Sequence, residues 1–290
     1  MGGHLEEPGR GVDAGGVDAN GVDTEAEFTP EWLTLREPVD AAARSGELVD
    51  RLVRLFAGRD RLVIRDLGCG TGSLGRWLSP LLPNPQHWIM QDREPDLLRH
   101  VYMGVTSTAP VTVETRLGDL GGVTAADLAG TSLVTASALL DILTTGEVDR
   151  LVGACVDAGV PALFTLSVLG EVELAPADPL DAEIAAAFND HQRRVQDGRR
   201  LLGPDAPAAV VESFEKRGAT VHIARSPWQL GAENAELTAE WLRGWVGAAV
   251  EQRPELAAVS ASYLRQRLDA VGAGRLSGAV GHVDVLAVPA

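Results

Sequence analysis

A glycine-rich turn between an apolar segment and a helical pattern constrains this chain more than any other feature. Residues 61–75 read RLVIRDLGCGTGSLG, in which the apolar run 62–64 predicts a strand and four glycines fall within the last eight positions. A helical pattern begins directly afterwards. Glycine is required where the backbone takes positive φ or approaches a ligand with no intervening Cβ. This arrangement predicts a crevice for a nucleotide-like cofactor.

One interpretation of this loop is a dinucleotide site. Gly70-Thr-Gly72-Ser-Leu-Gly75 satisfies the pattern G-x-G-x-x-G, and Asp92 ends a second apolar run about twenty residues further on. At that spacing, a dinucleotide-binding fold places an acidic residue against a ribose. An NAD-dependent oxidoreductase is therefore one hypothesis.

A second interpretation starts from the acidic residue before the glycines. The segment Asp66-Leu-Gly68-Cys69-Gly70-Thr-Gly72 resembles the first motif of class I S-adenosylmethionine (SAM) dependent methyltransferases. A carboxylate at this position suits a cofactor that carries an ammonium group, whereas it would repel a pyrophosphate. Further acidic residues follow the second and third predicted strands, where that family uses them. SAM is therefore the favoured cofactor.

The resemblance implies a role for each matching residue at the methionine end of SAM. The glycines let the backbone approach the cofactor, and the preceding acid organises the loop or the ammonium. An arginine in the N-terminal segment is a candidate partner for the carboxylate, with a surface ion pair as the alternative. The residues predicted at this end are Arg36, Asp66, Gly68, Cys69, Gly70 and Gly72.

The resemblance also implies residues for the adenosine end and the region beneath the methyl group. Asp92 would accept both ribose hydroxyls, a task suited to a carboxylate, and Arg93 is assigned to the same site. Asp119 and the backbone of Leu120 would hold the adenine amino group. Ser137 lies in the segment that matches the family's fourth motif. That segment lacks the N/D-P-P-Y/F pattern of family members that methylate nucleic-acid or protein-glutamine nitrogens, which favours a small-molecule acceptor.

Two residues are candidates for catalysis. His191 follows an apolar stretch within a polar cluster and titrates in the range of a general base, although a solvated helix end with charge pairs is the alternative. Asp141 ends the fourth motif, where it either orients an acceptor or caps the next helix. No metal site is predicted, because the two cysteines lie apart, in the glycine loop and on a predicted helix.

The overall charge limits the acceptor class. The chain has 25 basic and 41 acidic residues, a net charge of −16, and no run of more than two basic residues. A nucleic-acid ligand requires a basic track, so DNA and RNA are not expected as partners. No segment approaches eighteen consecutive apolar residues and no signal-peptide pattern opens the chain. A cytoplasmic protein without membrane contact is expected; the sequence does not indicate an oligomeric state.

Alternating strand and helix patterns predict an α/β fold. The expectation is a Rossmann-like, seven-stranded, mostly parallel sheet with helices on both faces and helical lid insertions. Strands are predicted at 62–66, 87–91, 111–116, 132–136, 161–167, 219–225 and 281–288, the last antiparallel if the resemblance holds. Helices are predicted at 38–45, 47–56, 73–81, 94–103, 124–129, 146–158, 206–217, 235–252 and 254–271.

The predicted domain organisation has three parts. Residues 1–27 contain a Gly-Val-Asp repeat at a five-residue period and are expected to be a disordered acidic tail. Residues 28–60 form an N-terminal helical segment, and residues 61–290 form the methyltransferase domain with lid insertions at 168–204 and 226–278. Trp241 and Trp245 share one helical face of the second insertion, interpreted as lid packing, with stacking on an aromatic acceptor as the alternative.

The sequence thus predicts a SAM-dependent methyltransferase that acts on a small molecule, with O-, N- or C-methylation left open. The first alternative is the NAD-dependent oxidoreductase. The second is a non-catalytic SAM-binding protein, whose acceptor pocket would be filled by its own side chains.

Overall fold

The computed structural model describes residues 29–103 and 108–290. The predicted tail, residues 1–27, lies outside the described residues. The strands are β1 Leu62–Leu67, β2 Gln86–Asp92, β3 Val111–Leu117, β4 Leu133–Ser137, β5 Ala162–Ala175, β6 Val195–Gln196, β7 Arg199–Arg200, β8 Thr220–Arg225, β9 Trp228–Leu230 and β10 Ser277–Val288. The helices are α1 Pro30–Ala43, α2 Gly46–Leu55, α3 Ser73–Leu78, α4 Pro95–Arg99, α5 Thr145–Asp157, α6 Asp181–Gln192, α7 Ala206–Lys216, α8 Ala235–Gln252 and α9 Ala257–Gly272.

A single sheet organises the fold. Its main path runs β3-β2-β1-β4-β5-β10-β8, and the short strand β9 adds to β10. The pairs among β1 to β5 are parallel, whereas β10 is antiparallel to both β5 and β8. This sheet confirms the predicted fold class, including the antiparallel final strand. The carboxyl ends of β1, β2, β4 and β5 therefore meet at one edge, where open α/β sheets bind ligands.

Both faces of the sheet are covered, which explains the nearly continuous apolar runs of its central strands. On one face α5 and α7 pack over a core that includes Phe164 and Phe214. On the other face α2 and α3 pack over a core that includes Phe56 and Trp88. In the described ranges, the structure contains no helix with the length and apolar character needed to cross a bilayer.

The N-terminal helix begins earlier than predicted. The prediction starts a helix at Pro38, but α1 begins at Pro30 and carries Pro38 in its interior. Thr29 caps the helix by accepting a hydrogen bond from the Trp32 amide at 3.2 Å, and a proline is compatible with the first turn. Pro38 lacks an amide hydrogen, so only one intrahelical bond is lost there.

Two other predicted helices differ from the structure. Residues 124–129 form turns instead of a helix, held by hydrogen bonds between Thr124 and Asp127. The helix predicted at 94–103 is limited to α4, five residues long. Hydroxyl and carboxylate side chains compete for backbone amides and favour turns over helix in such short segments.

The two insertions contain strand as well as helix. Strand β5 continues eight residues beyond its predicted end at 167, paired along its length with β10, which starts four residues earlier than predicted. Helix α6 packs against this long ribbon, α8 packs on α6, and α9 packs on α8. The three helices enclose a separate core around Ile184, Leu242 and Tyr263. The prediction places most of the added ribbon residues in the helical lid insertions 168–204 and 226–278, because short strand extensions give little periodic signal.

Candidate functional site

The glycine loop adopts the left-handed backbone that its sequence predicts. Gly68, Gly70 and Gly72 have φ of +62°, +53° and +90°. A Cβ on Gly68 would lie 2.8 Å from Leu139 Cδ1, and one on Gly70 would lie 3.0 Å from Leu33 Cδ1. Side chains are therefore excluded here by backbone conformation and by space. The loop presents bare backbone to the crevice at the carboxyl ends of the strands.

Asp66, at the end of β1, is a buried carboxylate with one oxygen unused. Its Oδ1 accepts a hydrogen bond from the Thr135 hydroxyl at 2.7 Å. Its Oδ2 has no partner among the described residues. Burial raises the pKa of Asp66 to about 7, partly opposed by the Thr135 hydrogen bond and by the charge of Arg44. The ionised form of Asp66 is thus held by one hydrogen bond, and the charge of Arg44 offsets only part of the cost of burial.

Asp92, at the end of β2, lies directly against the glycine loop. Its Oδ2 accepts a hydrogen bond from the Gly70 amide at 2.8 Å, and its Oδ1 accepts one from the Glu94 amide at 3.0 Å. Arg93 points away into solvent and pairs with Glu94 at 3.2 Å. Cys69 is buried, and burial raises the pKa of its thiol, so it is not a reactive thiolate.

Asp119 and Leu120 follow β3 and lie beside the end of β2. The Gly118 amide donates to the Asp92 carbonyl at 2.9 Å, and Gln91 Nε2 donates to the Asp119 carbonyl at 3.2 Å. The Asp119 side chain is exposed, and Leu120 packs on the sheet core. The structure therefore brings together the predicted ribose and adenine residues at one edge of the sheet.

Arg36 is engaged within the protein. Its Nε and Nη2 donate to the two carboxylate oxygens of Asp40 at 2.9 and 3.3 Å. Its guanidinium lies 5.0 Å from the ring centroid of Trp228, whose Nε1 also donates to Asp40 at 2.9 Å. This buried cluster holds α1 against the sheet edge. The ion pair of Arg36 is therefore buried, whereas the alternative interpretation of Arg36 predicts a pair on the surface.

Arg44 is the functional candidate that sequence reasoning missed. Its side chain is fully buried, and its Nη2 donates to Ser73 Oγ at 3.2 Å and to Ser137 Oγ at 3.1 Å. Its Nη2 also lies 3.9 Å from Asp40 Oδ2, and its guanidinium lies 5.5 Å from the ring centroid of Trp77. Its Nε and Nη1 have no hydrogen-bond partner within the described ranges. An arginine after an alanine run at a helix end carries no spacing signal in the sequence. The tertiary structure alone places it beside Ser137, a predicted site residue.

A second missed residue, Asp284, joins the N-terminal segment to the sheet. Its Oδ1 accepts hydrogen bonds from the Leu166 amide at 2.8 Å and the Ser226 hydroxyl at 2.7 Å. Its Oδ2 accepts one from the Ser45 amide at 2.7 Å, and burial raises its pKa. The sequence contains a signal for this residue: an acidic side chain stands between two valines in a predicted strand that is otherwise apolar, where an apolar residue is expected.

Further polar atoms on β5 and β10 lack partners. Thr165 Oγ1, Ser167 Oγ and His282 Nδ1 are buried with no hydrogen-bond partner in the described part of the chain. Thr165 is the partner of Ser137 in the sheet register, so it lies beside the serine that accepts a hydrogen bond from Arg44. Buried polar groups in native proteins almost always have partners, so a cluster of exceptions requires an explanation such as a ligand.

The backbone is strained at the same edge. Ala138, directly after β4, and Leu166, within β5, have φ of +49° and +56°. Non-glycine residues adopt this region at a cost of about 1 kcal/mol or more. The Ala138 amide donates to the Thr165 carbonyl at 2.9 Å and holds the two strands together. Such strain is concentrated at ligand sites, where surrounding contacts impose it.

Helix α1 covers the crevice. Glu37 accepts hydrogen bonds from Arg76 Nε and Nη2 at 2.7 and 2.5 Å, which ties α1 to α3. Trp32, Leu35 and Val39 of α1 pack in a cluster with Ala138, Leu166 and Trp228, at the carboxyl end of β4 and the neighbouring part of β5. The N-terminal segment is therefore a cover over the site.

Asp141 is the first of the two catalytic candidates. Burial raises the pKa of Asp141 to about 6, opposed by the charges of Arg36 and Arg194. Asp141 does not cap α5, because Thr144 does so in a capping box with Glu147. The capping alternative is therefore wrong.

His191 lies at the end of α6, where both ring nitrogens have partners. Its Nε2 is 3.2 Å from Glu251 Oε2, and its Nδ1 is 3.4 Å from Arg194 Nη1. Burial and the Arg194 charge lower the pKa of His191. These contacts correspond to the charge-paired helix end given as the alternative.

Two charged groups with unused hydrogen-bonding atoms lie at this edge of the sheet. Asp66 has one carboxylate oxygen and Arg44 has two donor nitrogens without a hydrogen-bond partner among the described residues, and Arg44 contacts Ser73 at the glycine loop and Ser137 at the end of β4. An ammonium placed at Asp66 would stabilise its ionised form, and a carboxylate placed at Arg44 would satisfy its donors. The amino-acid end of SAM carries these two groups.

No family model matches the chain, and no curated protein matches it. Solved structures do resemble it. A cyclopropane synthase from Mycobacterium tuberculosis covers 90% of this chain and 94% of its own at 13% identity and a TM-score of 0.46. A putative methyltransferase from Bacillus halodurans C-125 covers 83% and 97% at 14% identity and a TM-score of 0.45. A SAM-dependent methyltransferase from Geobacter sulfurreducens, in complex with S-adenosyl-L-homocysteine, covers 90% and 99% at 14% identity and a TM-score of 0.41. The fold assignment above rests on the strand order.

Proposed function

We propose that this protein is a SAM-dependent methyltransferase that acts on a small-molecule acceptor. The observation that carries the proposal is a set of buried atoms of two charged groups that lack hydrogen-bond partners beside the glycine loop: Asp66 Oδ2, and Nε and Nη1 of Arg44. A ligand with both an ammonium and a carboxylate satisfies them together. Asp92 and Asp119 are proposed for the ribose and the adenine amino group.

The same charges argue against a dinucleotide. A pyrophosphate in the loop would meet the carboxylates of Asp66 and Asp92, and the low-dielectric interior strengthens that repulsion. Arg44 could neutralise one phosphate, but the free oxygen of Asp66 would still lack a cation. The NAD-dependent oxidoreductase is therefore the weaker hypothesis.

The chemistry of the proposed reaction makes modest demands on the protein. When bound, SAM supplies a methyl group. A lone pair of the acceptor forms a bond to the methyl carbon while the carbon–sulfur bond breaks, and the electrons of that bond go to sulfur. The chain must hold donor and acceptor in line and exclude water, for which the cover of α1 is suited. A hydroxyl or amine acceptor also loses a proton. We assign that proton to the Asp141 carboxylate, because Asp141 lies in the turn that follows the carboxyl end of β4 and burial raises its pKa to about 6.

Calorimetry tests the cofactor directly. We expect S-adenosylhomocysteine (SAH) to bind the full chain and NADH not to bind. Arg44→Met should weaken SAH binding about tenfold or more, because charge-assisted hydrogen bonds are lost, and should leave 5′-methylthioadenosine, which lacks the amino-acid end, unaffected. Arg54→Met, an exposed position on α2, is the matched control. Binding of NADH but not SAH would overturn the proposal.

A non-catalytic SAM-binding protein is the second candidate, supported by the packing of Trp32, Leu35 and Val39 at the ends of β4 and β5. The two candidates differ in turnover. An enzyme releases SAH when supplied with SAM and its acceptor, whereas a binding protein retains the donor unchanged with every acceptor class supplied.

A further inference from the structure

Asp284 on β10 joins three segments that lie far apart in the sequence. The residue is 1% exposed, and its carboxylate accepts hydrogen bonds from the Ser45 amide, the Leu166 amide and the Ser226 hydroxyl at 2.7, 2.8 and 2.7 Å. Strand β10 lies between β5 and β8, where a buried carboxylate is costly unless hydrogen bonds compensate it. The three donors supply that compensation and show which segments depend on this acid.

The hydrogen bond from Ser45 fixes the backbone that carries Arg44. Arg44 and Ser45 join α1 to α2 and have ψ of 143° and 110°, outside the helical range. The Arg44 amide donates to the Asp40 carbonyl at 3.1 Å, which completes the last turn of α1. The next amide, that of Ser45, donates to the Asp284 carboxylate. Asp284 therefore holds the junction at the residue that directly follows Arg44.

The hydrogen bond from Leu166 fixes the strand near the other end of the Arg44 side chain. Leu166 has φ of +56°, a conformation that persists in a non-glycine residue only where surrounding contacts impose it. It follows Thr165, the register partner of Ser137, and Ser137 accepts a hydrogen bond from Arg44 Nη2 at 3.1 Å. Asp284 thus holds both the backbone from which Arg44 extends and the strand beside the serine that its guanidinium contacts.

The charge of Asp284 also acts on Arg44. Burial lowers the pKa of Arg44, and the charges of Asp40 and Asp284 oppose that effect. The hydrogen bonds of Asp284 go to two backbone amides and a serine hydroxyl. Nε and Nη1 of Arg44 remain without a hydrogen-bond partner in the part of the chain that the structure describes. Asp284 therefore supports the charged form of Arg44 without occupying these donors.

We propose that Asp284 is a positioning residue for the amino-acid end of the methyl donor, because it holds Arg44 where Nε and Nη1 can donate to the ligand carboxylate. This inference rests on the proposed function, in which Arg44 binds that carboxylate. Asp284 is assigned no contact with the ligand itself. Its loss should therefore weaken ligands that carry the amino-acid end and spare a ligand that lacks it.

The variant Asp284→Asn tests this role in the full chain. Asparagine has one oxygen in place of two, so its NH2 group must face either the Ser45 amide or the Leu166 amide, both of which are donors. By calorimetry, we expect SAH to bind about tenfold more weakly and 5′-methylthioadenosine to stay within about twofold of wild type. Equal weakening of the two ligands would show a general structural role and would overturn the inference.

Charge and position predict opposite effects in this variant. Asparagine removes a negative charge from the surroundings of the ligand carboxylate, which by itself would tighten SAH binding. The positioning role predicts weaker binding, because the Ser45 amide and the neighbouring Arg44 lose their fixed place. Tighter or unchanged binding of SAH to Asp284→Asn would therefore also overturn the inference.

A double-mutant cycle with Arg44→Met shows whether Asp284 acts through Arg44. If it does, adding Asp284→Asn to Arg44→Met should change SAH affinity by less than about twofold, since the group that Asp284 positions is already absent. The same substitution changes the affinity about tenfold when Arg44 is present. Additive losses in the double variant would mean that Asp284 acts independently of Arg44, which contradicts the proposal.

Asp181→Asn is the matched control. Asp181 on α6 accepts hydrogen bonds from the Tyr263 hydroxyl at 2.6 Å and from Arg267, so its substitution also disturbs a hydrogen-bonded acid, among the lid helices. Thermal unfolding should show a lower Tm for this variant and for Asp284→Asn. Only Asp284→Asn should change the ratio of SAH affinity to 5′-methylthioadenosine affinity; an equal change in Asp181→Asn would make the effect global.

A milder variant decides the question if Asp284→Asn does not fold. Ser226→Ala removes one hydrogen bond from the same carboxylate and leaves the two backbone amides in place. It should weaken SAH about threefold and leave 5′-methylthioadenosine unaffected. Equal affinities of Ser226→Ala and wild type for SAH, or equal losses for both ligands, would contradict the positioning role.

SAH binding to the wild-type chain separates this inference from the proposed function. If wild type binds SAH and Asp284→Asn retains the wild-type ratio of the two affinities, the positioning role is wrong and the cofactor assignment stands. If wild type does not bind SAH, the proposed function fails, and with it the inference that rests on it.

Discussion

The Thr135 hydroxyl donates to Asp66 Oδ1 at 2.7 Å, and Asp66 Oδ2 faces no donor among the described residues. The carboxyl group at the end of β1 is thus held by one hydrogen bond while burial disfavours its charge. Its pKa of about 7, against an ordinary value of 3.8, makes both stability and ligand binding sensitive to pH in a defined direction.

Asp66 should make the ligand-free protein less stable as pH rises from 5 to 8. Its folded-state pKa is raised, so between pH 4 and 7 the folded protein holds a proton that the unfolded chain releases. The contribution of Asp66 to the free energy of unfolding should fall by about 3 kcal/mol between pH 4 and 7. Thermal unfolding of wild type and Asp66→Asn measures this, because the difference between their Tm values should shrink or reverse with increasing pH. Parallel profiles would contradict the assignment.

SAH affinity should increase between pH 6 and 7 if the ligand ammonium binds beside Asp66. Over this interval the ionised fraction of a group with pKa 7 rises from about one tenth to one half, which predicts about fivefold tighter binding. Calorimetry at pH 6 in phosphate and in Bis-Tris, two buffers effective there with different ionisation enthalpies, should detect proton release from the protein. In Asp66→Asn, affinity should be weaker and nearly independent of pH; an unaltered pH dependence in that variant would exclude Asp66 as the source.

Asp92→Asn should weaken SAH binding by about 1–3 kcal/mol, because the ribose hydroxyls lose a charged acceptor. The wild-type carboxylate also holds the Gly70 and Glu94 amides, and asparagine has only one oxygen to replace the two acceptors. The control is Asp96→Asn, an exposed residue on the next helix. Equal affinities in both variants would count against the ribose assignment.

Gly70→Ala should lower both stability and SAH affinity. The alanine would have to adopt the backbone φ of +53°, and its Cβ would lie 3.0 Å from Leu33 Cδ1. Gly58→Ala is a matched control, because Gly58 has φ of +80° with nothing within 4 Å of a Cβ. Both variants should lose about 1 kcal/mol of stability to backbone strain. Only Gly70→Ala should weaken SAH binding; a similar loss in Gly58→Ala would show that the effect is global.

Trp228→Phe should loosen the cover over the crevice. The indole N–H donates to Asp40, which is also the partner of Arg36, so its removal should cost about 1–2 kcal/mol of stability. Amide hydrogen exchange should become faster in α1 and remain slow in α5, on the opposite face of the sheet. Uniform acceleration in both helices would indicate general destabilisation instead.

Local sequence determined the sheet and its glycine loop. The strand patterns at β1, β2 and β4 and the helix over Ala235–Gln252 follow from apolar periodicity, and the left-handed loop follows from the glycines that permit it. The start of α1 and the long β5/β10 ribbon were not predicted well, because capping choices and strand pairing depend on contacts with distant segments.

Tertiary structure alone decided which polar groups lack hydrogen-bond partners at the site. Arg36 and Arg44 lie on or beside the same helix and both pair with Asp40, yet Arg36 donates hydrogen bonds to both Asp40 oxygens, whereas Arg44 Nη2 lies 3.9 Å from Asp40 and donates to Ser137 across 93 residues of sequence. Burial and hydrogen-bond partners depend on the packing of the whole chain, so no spacing within the sequence could distinguish the two arginines. The sequence determined that a crevice would form at the glycine turn, and folding determined which charged groups remain free within it.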